Sequence, residues 1–157
     1  MFNFLKKQKG YLVAPVSGRT IKLSKVADPV FSSGMMGVGI AIEPTGDQFV
    51  APGDCTITLI PESKHAFGMQ FTNGLEVLVH IGMDTVNLGG QGFTTLVEQG
   101  IKVTRGTPII KIDREFFMGK NISLVTPIVV LNHSDYNVNI LVEQGECVGG
   151  ITKIINF

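Results

Sequence analysis

The placement of glycine and proline constrains the fold of this chain more than any other feature. Nineteen glycines and seven prolines interrupt its 157 residues, and the segments between them are short and rich in β-branched side chains. The clearest segments are Tyr11–Ala14, Thr20–Leu23, Gly39–Glu43, Thr56–Ile60, Pro108–Ile112 and Leu124–Leu131. Short strands at this density predict an all-β fold, either a sandwich or a barrel. Asp113–Lys120 alone favours a helix, with Asp113 as N-cap, so we expect at most one or two short helical turns.

An internal repeat supports two similar β units. The segments Val97–Gly106 and Val142–Gly149 both begin Val-Glu-Gln-Gly, and each is followed by an Ile-Ile pair. The tripeptide Val-Ala-Pro occurs at residues 13–15 and again at residues 50–52. Segments that recur in this way indicate an internal duplication. We therefore expect duplicated β units packed face to face, as in a barrel-sandwich hybrid.

Charge and cysteine usage exclude several classes of protein. Thirteen basic and thirteen acidic residues give a formal net charge of zero, and the basic residues are scattered, so we expect no nucleic-acid partner. Cys55 and Cys147 lie far apart in apolar segments, which is typical of reduced core thiols and predicts a cytoplasmic protein. Neither cysteine has a ligand-spaced neighbour, and the sequence predicts no cofactor and no resident metal.

The first residues differ from the remainder of the chain. In Met1–Lys9 the lysines follow the apolar residues, and no apolar stretch is long enough for a signal peptide. We expect residues 1–9 to form a flexible N-terminal arm and residues 10–157 to form a single domain. Phe2, Phe4 and Leu5 beside three lysines allow at most a peripheral contact with an anionic membrane surface.

The most informative segment is a predicted hairpin centred on Asn73-Gly74. This dipeptide is typical of a two-residue type I′ turn, because both positions need positive φ. With that turn, Phe67 lies opposite His80, and His65 lies opposite Gly82. His65 and His80 are then diagonal neighbours on one face, with Cα atoms about 7–8 Å apart. The same face carries Phe67, Met69 and Leu78, and the other face carries Ala66, Gly68, Val77, Val79 and Ile81.

A pair of histidines in apolar surroundings suits phosphoryl transfer. A neutral His80 can accept phosphorus on one ring nitrogen while the other donates a hydrogen bond to the carbonyl of Gly82. His65 can stabilise the charged oxygens during transfer, and Ser63 can orient the His65 ring. Asp84 either orients the following loop electrostatically or caps a turn. The remaining histidine, His133, is expected in a solvated loop.

Two segments resemble the glucose-type enzyme IIA domain of the bacterial phosphoenolpyruvate-dependent sugar phosphotransferase system. Gly74–Val86 (GLEVLVHIGMDTV) is similar to the active-site segment of that family, and Ser63–Phe67 (SKHAF) is similar to its second histidine segment. The resemblance runs from Val13-Ala14-Pro15 to Gly149–Ile155. It implies a β-sandwich of antiparallel strands with a shallow apolar site. The methionine close to the first strand favours a free-standing protein over a piece of a longer permease.

The resemblance also implies roles for individual residues. His80 is then phosphorylated by the histidine-containing phosphocarrier protein and passes the group to a cysteine in the IIB domain of a sugar permease. His65 assists, with Ser63 standing where the family often has threonine, and the carbonyls of Gly82 and Val86 hold the ring tautomers. The apolar rim shared by both partners comprises Val30, Phe31, Met36, Phe67 and Leu78. The identity of the sugar is left open, because the permease selects it.

Two alternatives belong to other classes. His80 and Asp84 form H-x-x-x-D, half of a zinc metallopeptidase-like site, but the sequence lacks the H-x-H that supplies the remaining ligands of such a hydrolase. A lipoyl- or biotinyl-type carrier module is suggested by the glycine-rich β units. Such a carrier needs a lysine at an exposed hairpin tip, and Asn73-Gly74 offers none.

Overall fold

Fourteen short strands and two short helices make up the computed structural model, which describes residues 9–157. The strands are β1 Tyr11–Val13, β2 Gly18–Lys22, β3 Val38–Pro44, β4 Gln48–Val50, β5 Cys55–Leu59, β6 Ala66–Phe71, β7 Glu76–His80, β8 Phe93–Thr95, β9 Lys102–Val103, β10 Pro108–Ile112, β11 Thr126–Val130, β12 Asn139–Ile140, β13 Gly145–Cys147 and β14 Lys153–Asn156. The helices are α1 Pro29–Ser32 and α2 Arg114–Lys120, and 3-10 turns cover Leu23–Lys25, Thr85–Leu88 and His133–Asp135. The predicted all-β antiparallel fold is confirmed.

The predicted helix is present, and a second one was not predicted. α2 begins after Asp113, whose carboxylate accepts a hydrogen bond from the N–H of Phe116 at 3.3 Å. α1 has only four residues, too few for any apolar periodicity to appear in the sequence. Its start does carry a signal, because Asp28-Pro29 combines an N-cap residue with proline at the first helical position.

The strands form three antiparallel sheets. Two small sheets have the orders β1-β14-β12 and β4-β10-β8, and the large sheet has the order β13-β2-β3-β11-β7-β6-β5-β9. The large sheet consists of two halves with the same strand arrangement. Counted inward from one edge the strands are β13, β2, β3 and β11, and counted inward from the other edge their counterparts are β9, β5, β6 and β7. One unit is therefore β4–β10, inserted between β3 and β11 of the other unit.

Hydrogen bonds between the two Val-Ala-Pro segments mark the duplication. The N–H of Val13 donates to the carbonyl of Pro52 at 2.9 Å, and the N–H of Val50 donates to the carbonyl of Pro15 at 2.7 Å. The carbonyls of Ala14 and Ala51 accept equivalent bonds, at 2.8 Å each, from the glycines at 150 and 106. The repeats seen in the sequence thus occupy matching places in the fold, which confirms the predicted duplicated units.

Two apolar clusters lie on opposite faces of the large sheet. The main core contains the largest fully buried side chains, among them Phe49, Phe67, Phe117, Leu12, Ile40, Ile57, Met69 and Ile110. A smaller group, here called the outer cluster, joins buried Val26, Phe31, Ala41 and Val129 to the partly buried Ile21, Leu23, Met36, Leu78, Met83 and Val125. The outer cluster lies beside the predicted functional site.

The N-terminal arm and the membrane contact were also considered for the chain as a whole. Residues 1–8 of the predicted arm lie outside the described residues, and its boundary with a single domain at residue 10 stays a prediction. Within residues 9–157, no helix has the length and apolar character needed to cross a membrane.

Candidate functional site

The β6–β7 hairpin is present, but its register differs from the prediction by one residue. The loop has three residues, Thr72 to Gly74, and the N–H of Phe71 donates to the carbonyl of Leu75 at 2.9 Å. Gly74 has φ of 91°, as expected for a type I turn followed by a left-handed residue. Ala66, not Phe67, therefore lies opposite His80, and the predicted two-residue turn is wrong.

The register shift exchanges the two faces of β6. Phe67 and Met69 face the main core at 0% and 1% exposure, where the prediction had them on the histidine face. Ala66 and Gly68 take the outer face instead, opposite His80 and Leu78. One extra loop residue has this effect because side chains alternate between the faces of a strand.

His80 ends β7 on the outer face of the large sheet. Its Nδ1 lies 3.0 Å from the carbonyl oxygen of Gly82, as predicted. Since a carbonyl only accepts, Nδ1 carries the proton and Nε2 keeps a free lone pair. Gly82 reaches this position with φ of 79°, a conformation that favours glycine.

His65 reaches the same face by a different route from the predicted one. It precedes β6 and follows Lys64, which has a positive φ of 55°. The carbonyl of His65 accepts a hydrogen bond from the N–H of Ile81 at 2.7 Å, which fixes its position beside the end of β7. The Ser63 hydroxyl oxygen lies 2.6 Å from His65 Nδ1, so the predicted contact between these two residues is present.

The two imidazoles meet edge to face. Their ring centroids are 4.8 Å apart with an interplanar angle of 80°. The Phe31 ring packs against His80 as well, with centroids 5.0 Å apart. His80 is therefore held by a hydrogen bond on Nδ1 and by ring contacts from two directions.

Burial keeps both imidazoles uncharged at neutral pH. Desolvation, followed by repulsion from His80, lowers the pKa of His65 to about 4. Desolvation also lowers the pKa of His80, and this effect is opposed by the hydrogen bond to Gly82 and by the carboxylates of Asp28 and Asp84. A neutral imidazole has the lone pair that a nucleophile requires.

Two of the predicted supporting residues lie in the loop after β7. Asp84 precedes a 3-10 turn with φ of 58°, and its side chain forms no capping hydrogen bond. The carbonyl of Val86 accepts from the N–H of Gly89 at 3.5 Å, while Nδ1 of His80 and Nδ1 of His65 contact Gly82 and Ser63, so its part in holding a ring tautomer stays a prediction. Thr85 closes this loop, because its hydroxyl donates a hydrogen bond to the carbonyl of Ile81 at 2.6 Å.

The predicted apolar rim is partly present. Val30 is 47% exposed, and Met36 and Leu78 are partly buried in the outer cluster. Phe31 is only 4% exposed and contributes mainly its contact with His80. Phe67 is fully buried in the main core, so its prediction as a rim residue is wrong.

Comparison with known proteins decides the family. The model of the phosphoenolpyruvate-dependent sugar phosphotransferase system EIIA 1 family matches residues 10–136. The chain belongs to this family. Its EIIA 1 segment includes both histidines, the Ser63 and Gly82 contacts and the whole β6–β7 hairpin.

Individual relatives agree with the EIIA 1 assignment. A glucose-specific EIIA component of Staphylococcus epidermidis is 40% identical over 146 residues, which are 92% of this chain and 87% of the relative. The glucose permease IIA of Mycoplasma capricolum has a TM-score of 0.88, 34% sequence identity and 96% coverage of each chain. Both similarities support the assignment of this chain to the EIIA 1 family of the sugar phosphotransferase system.

Other relatives are much longer. A mannose-specific EIIBCA component of Corynebacterium glutamicum is 46% identical over 125 residues, which are 80% of this chain and 18% of the relative. The chain spans between 18% and 22% of this and three further relatives named EIIBCA or EIICBA. In those relatives the A unit shares a chain with B and C units.

Proposed function

We propose that His80 carries the phosphoryl group, on Nε2. The donor is the histidine-containing phosphocarrier protein, the acceptor is a cysteine in the IIB domain of a sugar permease, and the exchange takes place in the cytoplasm. The observation that carries the proposal is the pairing of the His65 and His80 rings, whose centroids are 4.8 Å apart. Relatives in which the A unit is fused to B and C units support a IIB partner.

The hydrogen bond to Gly82 selects the reacting nitrogen of His80. With the proton on Nδ1, the lone pair of Nε2 is free to attack phosphorus. In the first transfer, the P–N bond of the donor phosphohistidine breaks as the bond to Nε2 forms. In the second transfer, the cysteine thiolate attacks phosphorus and the bond to Nε2 breaks. The Nδ1 proton stays in place throughout, and the neutral ring is restored.

His65 is suited to assist this transfer because its tautomer is the complement of the His80 tautomer. When the Ser63 hydroxyl donates to Nδ1 across the 2.6 Å contact, the ring proton of His65 lies on Nε2. A neutral N–H beside the reacting ring can donate to a phosphoryl oxygen and stabilise the charge of the transition state.

Phosphoryl labelling tests the two roles. The chain is incubated with phosphoenolpyruvate, enzyme I and the histidine-containing phosphocarrier protein, and the IIB domain is then added. We expect His80→Ala to stay unlabelled, and His65→Gln to become labelled but to pass the group on at least 100-fold more slowly, about the loss caused by removing one transition-state donor. His133→Gln is the control and should behave as the unmodified chain. Labelling of His80→Ala at the normal rate would overturn the proposal.

The alternatives from other classes have no support in the structure. Within residues 9–157, no three His, Cys, Asp or Glu side chains are grouped so that they could hold a metal ion. A zinc hydrolase at His80 and Asp84 therefore lacks its third ligand. The hairpin tip carries no lysine for a lipoyl or biotinyl group, and Asn132 and Tyr136 bind its backbone.

A further inference from the structure

Asp28 binds all the N–H groups of the short helix α1. Its side chain accepts a hydrogen bond from the N–H of Val30 at 3.0 Å. Its carbonyl accepts from the N–H groups of Phe31 and Ser32, at 3.0 and 2.9 Å. Pro29, the remaining residue of the helix, has no N–H. Asp28 thus accepts a hydrogen bond from every N–H group of α1, and a helix of only four residues has little stability of its own.

α1 carries the aromatic ring that covers His80. Phe31 is 4% exposed and packs in the outer cluster between buried Val26, Ala41 and Val129. Its ring centroid lies 5.0 Å from that of His80, with an interplanar angle of 54°. Phe31 is far from His80 in sequence, and it lies in α1. The position of the Phe31 ring against His80 therefore follows from the position of α1.

We propose that Asp28 is a positioning residue for phosphoryl transfer, because by capping α1 it holds the Phe31 ring against the His80 imidazole. The ring limits the orientations of His80 and excludes water from one side of it. Both effects favour a reacting nitrogen that is already aligned when the donor arrives. This inference rests on the proposed role of His80 as the phosphoryl acceptor.

Asp28 acts on His80 in a second way, through its charge. Desolvation lowers the pKa of His80, whereas the Gly82 hydrogen bond and the carboxylates of Asp28 and Asp84 raise it. His65 is the other titratable group in contact with the ring. Asparagine caps helices about as well as aspartate but carries no charge. Asp28→Asn therefore removes the charge alone, and Asp28→Ala removes the charge and the cap.

An NMR titration of the His80 ring in the unphosphorylated protein separates these effects. We expect Asp28→Asn to lower the pKa of His80, since a nearby negative charge is lost while Phe31 stays. We expect the pKa in Asp28→Ala to exceed that in Asp28→Asn by about half a unit or more, since the ring becomes hydrated. At saturating donor, phosphoryl acceptance by Asp28→Ala should be about tenfold slower than by Asp28→Asn, because His80 is less well oriented.

The second N-cap aspartate of the chain is the matched control. Asp113 caps α2, which packs into the main core through Phe117, so Asp113→Ala should leave the pKa of His80 unchanged. Phe31→Ala, which keeps the cap, should raise that pKa above the value in the unmodified chain. Equal pKa values and equal rates in Asp28→Asn and Asp28→Ala would overturn the inference. Because the titration requires no phosphoryl transfer, failure of the proposed function would be recognised separately, by labelling of His80→Ala.

Discussion

At the scale of single residues, the site depends on which nitrogen of each imidazole is bonded to the chain. His80 donates from Nδ1 to Gly82, and His65 is bonded at Nδ1 to Ser63. No hydrogen bond within residues 9–157 occupies Nε2 of either ring. The Nε2 edges of both rings are therefore available for the proposed transfer, while Nδ1 of each ring is held by its contact with the chain.

The low pKa of His65 predicts a stability that falls in acid. Between pH 6.5 and about 4 the unfolded chain binds a proton on this imidazole that the folded chain does not, so stability decreases as the pH falls through this range. Urea unfolding at pH 7 and pH 4.5 should show a smaller acid loss for His65→Gln than for the unmodified chain.

His133→Gln is the control for this titration, because that histidine lies outside the site. It should lose as much stability in acid as the unmodified chain. An identical acid loss in His65→Gln and the unmodified chain would contradict a neutral, buried His65 in the folded protein.

Gly82→Ala should damage the site through backbone geometry. The residue has φ of 79°, and an added Cβ would lie 2.7 Å from Thr85 Cγ2 and 2.8 Å from the carbonyl oxygen of Ser123. Relief of these contacts moves the carbonyl that holds His80 Nδ1. We expect a loss of about 2 kcal/mol in unfolding free energy and at least tenfold slower labelling by the phosphorylated donor.

Gly100→Ala provides the comparison for Gly82→Ala. Gly100 also has a positive φ, of 97°, but no atom lies within 4 Å of an added Cβ. Gly100→Ala should lower the unfolding free energy through backbone strain, but it should not slow labelling by the phosphorylated donor. If both variants accepted phosphate at the same rate, the Gly82 carbonyl would have no part in positioning His80.

At the scale of elements, the β6–β7 hairpin shows what sequence reasoning reached and what it missed. The strands, the turn region and the meeting of the two histidines were predicted from local patterns. The register was not, because Asn73-Gly74 fits both a two-residue and a three-residue loop. The contacts that accompany the longer loop come from Asn132 and Tyr136, about 60 residues away in sequence. Phe67 was assigned to the wrong face for this reason alone.

Asn132 should stabilise the hairpin by binding its tip. Its amide nitrogen donates to the carbonyl of Gly74, and its amide oxygen accepts from the N–H of Glu76, both at 2.9 Å. Asn132→Ala leaves both backbone groups without this partner, and we expect a loss of about 1–2 kcal/mol in unfolding free energy. Asn139→Ala, at an exposed position bonded to Asn137 and Asn156, should cost less than half as much. Equal losses would mean that Asn132 has no special role at the tip.

At the scale of the whole molecule, one β unit is inserted into the other. Residues 10 and 157 are joined by two hydrogen bonds of 2.9 Å, from the N–H of Gly10 to the carbonyl of Phe157 and from the N–H of Phe157 to the carbonyl of Gly10. In the inserted unit, the corresponding pair is Asp47 and Ile112, linked at 2.8 Å. Hydrogen bonds thus join the two ends of the divided unit. The corresponding position of the inserted unit is the place where it enters and leaves the rest of the chain.

A circular permutant tests this architecture. We expect a chain that joins Phe157 to Gly10 by a short linker, with new ends between Gly119 and Lys120, to fold cooperatively. Gly119 has no atom within 4 Å of an added Cβ, so the cut falls at an open position. Thermal unfolding should show one transition within about 10 °C of the unmodified chain, a difference of about 3 kcal/mol. The same cut made between Val79 and His80, inside the central sheet, should abolish that transition.

The two units are alike in backbone but not in chemistry. The paired core residues Phe67 and Val79 correspond to the paired residues Ile40 and Ile128 of the other unit. Counting along the same strands, His80 corresponds to Val129 and His65 corresponds to Val38. Where one unit has the proposed phosphoryl acceptor and the histidine proposed to assist it, the other has two valines. We therefore expect a single phosphorylation site despite the internal symmetry, and complete labelling should give one phosphoryl group per chain.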